Sequence, residues 1–100
     1  MGGVPMIVEQ IELEKGTALG VGVELDKAPL LLIKGKKGFL MCGYLNIKAA
    51  EKLGDVAAKV TGVGTFGEML KAEVVEVTEK ARGLGIKEGL TGREALEKMF

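Results

Sequence analysis

The chain contains no histidine, no serine and no tryptophan, and its only cysteine is Cys42. A Ser-His-Asp triad is therefore impossible within it, and so is a Cys-His nucleophile pair. Histidine-ligated metal sites are excluded too. One cysteine permits neither an internal disulfide nor a cysteine-rich zinc site. No acidic cluster marks an all-carboxylate cation site, and no metal or cofactor is expected. Aromatics are scarce: only Phe39, Tyr44, Phe66 and Phe100. They offer no platform for stacking bases. Neither charge sign is in excess, since 14 basic residues balance 14 acidic ones. That argues against non-specific nucleic-acid binding, which depends on phosphate neutralisation. The one strongly apolar run, Ala28 to Ile33, falls far short of the ~20 residues that span a bilayer. The Met1-Gly2-Gly3-Val4-Pro5-Met6 start lacks the charged and apolar regions of a signal peptide and the Ser/Thr of a myristoylation signal. The expectation is a cytoplasmic protein with neither a nucleic-acid nor a membrane partner.

What is present suits one globular domain over residues 1–100. The chain is 47% hydrophobic, and a domain of this size buries roughly 64% of its unfolded surface without staples. Lysine outnumbers arginine twelve to two, glutamate outnumbers aspartate by the same ratio, and Gln10 and Asn46 are the only amides. Lysine and glutamate enrichment with few thermolabile amides is a thermophile signature.

The first half reads as strands. Met6 to Leu13 is rich in β-formers, and Thr17 to Leu25 alternates, with Leu19, Val21, Val23 and Leu25 on one face. The opposite face carries Ala18, Gly20, Gly22 and Glu24, and its glycines leave room for a helix or another backbone to approach. Leu30 to Lys34 and Phe39 to Tyr44 are apolar on both faces, as central strands are. Gly35 to Gly38 joins them as a hairpin loop, with solvated lysines.

The second half turns helical. Asn46 reads as an N-cap before Ile47, Ala50 and Leu53, and Gly54 as the stop. Val56 to Thr61 reads as one more strand. Thr65 and Glu68 form a capping-box pattern, repeated at Thr91 and Glu94. Between them, Val74, Val77, Ala81 and Leu84 recur at helical spacing and predict a longer helix closed by Gly85 and Ile86. The fold class is α+β, a mostly antiparallel sheet of four to five strands with three to four helices packed on it.

Three segments depart from generic composition. They are Gly38-Phe39-Leu40-Met41-Cys42-Gly43-Tyr44-Leu45, Gly62-Val63-Gly64-Thr65, and Leu84-Gly85-Ile86 with Gly89 and Thr91-Gly92-Arg93-Glu94-Ala95-Leu96. In order and spacing they resemble the YunC-like family of small, uncharacterised bacterial and archaeal proteins, over residues 25–99. The resemblance implies an α+β fold and supplies no reaction. An acidic residue often stands in that family where this chain has Asn46. Both cap a helix, but only the acid could act as a base.

The candidate site residues follow from local chemistry. Cys42 ends a strand shortly before a helix begins, where a thiol can be acidified and become nucleophilic, and Gly43 would admit a ligand to the backbone. Gly62, Gly64 and Thr65 precede a helix, as phosphate-binding turns do, but lack the P-loop lysine. Arg93 stands in a first helical turn, against the helix dipole, and suggests a bound carboxylate or phosphate, or a pair with Glu97. As alternatives, Cys42 reads as a core residue and the glycine turn as a plain connection. Two functions stay open. One is a self-associating or partner-binding module, a homo-oligomer with Gly20, Gly22 and the apolar strands in its interface. The other is a site for a small anionic ligand, or a thiol-dependent enzyme, built from Cys42, Gly43, Asn46, Gly62, Gly64, Thr65 and Arg93.

Overall fold

A computed structural model describes residues 6–100 of the chain. The Met1–Pro5 segment, expected to carry no targeting signal, lies outside the described residues. The elements run β1 (Met6–Glu12), β2 (Thr17–Val23), β3 (Leu30–Lys34), β4 (Phe39–Met41), α1 (Ile47–Leu53), β5 (Ala57–Lys59), α2 (Phe66–Lys71), β6 (Glu76–Val77), α3 (Glu79–Gly83) and α4 (Gly92–Glu97). The strands form one six-stranded sheet in chain order. Every neighbouring pair is antiparallel except β4 with β5. A parallel pair needs a crossover, and α1 supplies it. The α+β class holds, with one strand more than the sequence suggested.

Residues paired across strands share a face of the sheet. The register therefore aligns Gly20, Ile33, Leu40 and Ala58 on one side, which is buried. Phe66 and Met69 of α2, Leu96 of α4 and the following Met99 complete this main core. The other side carries a smaller cluster of Met41, Ile47, Ala50 and Ala57, packed beneath α1.

The glycine face of β2 is the inward one. A Cβ on Gly20 would sit 3.0 Å from both Ile11 Cδ1 and the Phe66 ring, and one on Gly22 would sit 2.8 Å from Leu31 Cδ2. The expected close neighbour is thus a helix and side chains of this same chain. Gly20 and Gly22 do not lie in a subunit interface, because their own core fills the space.

The caps form where the sequence placed them. Asn46 Oδ1 accepts from Lys48 N–H at 2.8 Å, and Thr65 Oγ1 accepts from Glu68 N–H at 3.0 Å. Thr91 and Glu94 make both bonds of a capping box. Gly85 has φ +85°, and the Gly85 and Ile86 amides donate to the carbonyls of Arg82 and Ala81. This is the Schellman pattern, whose left-handed residue favours glycine.

The longer helix through Val74 is a correction. The chain stays extended through Val74 and Val77, where the Val75 amide donates to the Lys59 carbonyl, and turns helical only after Thr78. Three β-branched valines favour the sheet here. The buried Thr78 hydroxyl fixes the switch. It accepts from Ala81 N–H at 3.3 Å and Ala57 N–H at 3.1 Å, and donates to the Asp55 carbonyl at 2.7 Å.

Candidate functional site

The parallel β4–β5 pair determines what can meet. It places the C-terminal ends of both strands at the same edge, where open α/β sheets commonly carry ligands. Val60 N–H donates to the Met41 carbonyl at 3.0 Å, which fixes the two following loops side by side. A Cβ on Gly43 would lie 3.7 Å from Thr61 Cγ2. Because β3 runs antiparallel to β4, the turn that starts β3 arrives at the same end. The result is an open cleft of about 520 Å³ lined by Lys27, Ala28, Pro29, Cys42, Gly43, Tyr44, Gly62, Val63 and Gly64.

Four of the seven expected site residues therefore converge: Cys42, Gly43, Gly62 and Gly64. Gly62 has φ +71°, a left-handed backbone that disfavours any side chain. Thr65 borders a neighbouring recess that shares Gly64. Asn46 lies in a groove beneath α1, with Phe39 and Met41. Arg93 is exposed on α4, outside the cleft lining. Glu97, its expected partner, is engaged elsewhere. Its carboxylate accepts from the Glu14 and Lys15 amides at 2.9 and 2.8 Å, tying the β1–β2 turn to α4.

Cys42 is only 2% exposed and belongs to the main core. Its sulfur accepts from Leu31 N–H at 3.3 Å. The thiol is packed among hydrocarbon, so thiol chemistry would require the fold to open. The charged residue in the cleft lining is Lys27, from the β2–β3 turn. Sequence reasoning missed it because the 27–29 turn is local to β3 and only tertiary pairing carries it to Cys42. Among the described residues, no group of three His, Cys, Asp or Glu side chains is placed to hold a metal ion.

A different feature dominates the other side of the sheet. Met6, Val8, Leu19, Val21, Val23, Leu30 and Leu32 share that face by register. Met6 is 66% exposed, Val8 62% and Leu19 42%. Here α1 packs against β5, and its cluster takes in Leu32 of β3; among the described residues no helix packs on this face of β1 and β2. The apolar surface continues into the groove beneath α1, floored by Phe39 and Met41 and flanked by Leu45, Ala49 and Leu53. Leu53 is 78% exposed. The signal was present in the sequence, as alternate apolar positions on β1 and β2. What it lacked was which face the core would take.

Comparison with known proteins agrees with this architecture. A family model described as "Domain of unknown function (DUF1805)" matches residues 41–99, and the chain belongs to that family. It is 40% identical over 94 residues to the uncharacterized protein YunC of Bacillus subtilis (strain 168), covering 90% of this chain and 93% of that one. The crystal structure of a protein of unknown function, TA1206 from Thermoplasma acidophilum, superposes with a TM-score of 0.92 at 40% identity, over 100% of this chain and 98% of that chain. The expected YunC-like resemblance is thus correct, and these relatives are themselves uncharacterised.

Proposed function

We propose that the protein is a cytoplasmic self-associating module whose apolar outer sheet face is covered by a second copy of the chain. The observation that carries this is the open outer face of β1 and β2, with Met6 and Val8 more than half exposed. The three-strand face, at ~4.8 Å spacing and up to seven residues at ~3.3 Å, measures at most about 330 Å² before α1 is added, and Gln10, Glu12, Thr17 and Lys34 share it with the apolar side chains. The largest apolar patch on a typical monomer is ~300–600 Å² and is often functional, and a stable pair buries ~800 Å² per partner, so α1 and its groove must add to the contact. The chain has no net charge, so two copies approach without monopole repulsion. The lysine- and glutamate-rich composition supports a thermophilic protein, for which assembly is a common route to stability.

Sedimentation of the native chain tests the reading. At about 100 µM, above the micromolar constants expected of a small interface, the mass should be twice the 10.5 kDa of one chain. Val8→Lys should return it to one chain that still folds, because Val8 is 62% exposed on the edge strand, with a melting temperature lowered by the loss of assembly. A single-chain mass for the native protein at that concentration overturns the reading.

A second reading is supported by the meeting of Gly43, Gly62 and Gly64 with Lys27 in the cleft. Glycine backbone and one ammonium group suit a small anion such as a phosphate or carboxylate.

A further inference from the structure

Resting on the reading that the chain self-associates, we propose how the two copies sit. They are related by a two-fold axis that runs along the strands above β3, so that α1 of each copy packs on β1 and β2 of the other.

The shape of the face leads to this. It is a step: α1 stands above β4 and β5, and β1 to β3 form a lower apolar floor. The floor is three strands wide, about 14 Å, and a helix with its side chains is about 10 Å across. An isologous interface must be complementary to itself. An in-plane axis perpendicular to the strands would stack α1 on α1 and leave both floors bare. An axis along the strands sets each raised helix into the other copy's low floor.

Such an axis preserves position along the strands, so it also predicts the register. The α1 helix returns from the end of β4 to the start of β5, which places Leu53 level with the Phe39 row of the sheet. That row runs through Lys34 and Leu19 to Gln10. Leu53 of one copy therefore meets Leu19 of the second copy, and both are large apolar side chains left exposed in the single chain. Charges of both signs lie at this seam, with Lys34 directly beside Leu19 on the floor. Glu51 is turned away, accepting from Glu79 N–H at 2.9 Å, which leaves Lys52 as the charge beside Leu53. On the floor, Glu12 lies on this same face, one row beyond Leu19.

Cross-linking tests the arrangement. Chains carrying Leu53→Cys are mixed with chains carrying Leu19→Cys, then oxidised or treated with a short bis-maleimide. Cys42 stays in place as a buried background thiol. The mixed Leu53→Cys/Leu19→Cys product should exceed either self-linked product several-fold. A two-chain mass with mainly self-linked Leu19→Cys product would overturn the axis proposed here and leave self-association standing. A two-chain mass in which neither reagent yields the mixed product would do the same. A single-chain mass before cross-linking would overturn self-association itself.

Discussion

Replacing Thr78 by valine separates hydrogen bonding from packing at one buried point. The two side chains have nearly the same shape, and Thr78 is only 1% exposed. If burial of apolar surface alone mattered, valine would be neutral or stabilising. The structure predicts the opposite, because this hydroxyl serves three backbone groups on three segments. Loss of the helix cap costs about 1 kcal/mol. Leaving the Ala57 amide without a partner costs a further ~1–3 kcal/mol, since Ala57 is fully buried. The sum is about 2–4 kcal/mol. At roughly 4–8 °C per kcal/mol for a domain of this size, the melting temperature should fall by about 10–30 °C. Thr78→Ser keeps the hydroxyl and removes one methyl, at a cost near 1 kcal/mol. Calorimetry or urea unfolding of the two variants decides the matter. If Thr78→Val proves at least as stable as Thr78→Ser, the hydroxyl does not fix the strand-to-helix switch and the reasoning is wrong.

Two further outcomes concern the cleft. Cys42 should react with iodoacetamide at least about 100-fold more slowly in the native protein than after unfolding, because labelling must await opening of the core. Native labelling at the unfolded rate would restore a thiol-based function. For the anion reading, phosphate should raise the melting temperature above that in chloride of equal ionic strength. A ligand at 100 times its dissociation constant adds about 2.7 kcal/mol of stability. Lys27→Gln should abolish the difference, and equal melting temperatures for the native chain would dispose of the anion site.

The exposed Arg82–Glu88 pair illustrates a contact with little functional content. Its two guanidinium hydrogen bonds, at 2.9 and 2.5 Å, hold the Glu88 carboxyl below its usual range. A depressed carboxylate contributes its stability above the unfolded value and loses it as pH falls through the folded one. Both groups lie at the surface, where solvent screens such pairs.

Local chemistry determined much of this protein from the sequence. Asn46, Thr65 and Thr91 cap helices because their side-chain oxygens reach amides two or three residues on, and no distant residue is required. Strands β3 and β4 were legible as central because both their faces are apolar. The family was legible too, from three short segments in order. Tertiary structure decided the rest, wherever two local answers had equal merit. Val74 to Ala81 has helical spacing, yet hydrogen bonding to β5 and the Thr78 hydroxyl draw its first half into the sheet. The two faces of β2 differ by one residue of register, and Phe66, some forty positions away, takes the glycine face as core. That choice turns Leu19, Val21 and Val23 outward. It turns Gly20 and Gly22 into the core and creates the apolar floor on which the proposed self-association rests. Cys42 and Lys27 meet only through strand pairing, and Arg93 and Asn46 are carried elsewhere. Alternation along a strand has a period but no sign, and only the packing of the whole chain supplies the sign.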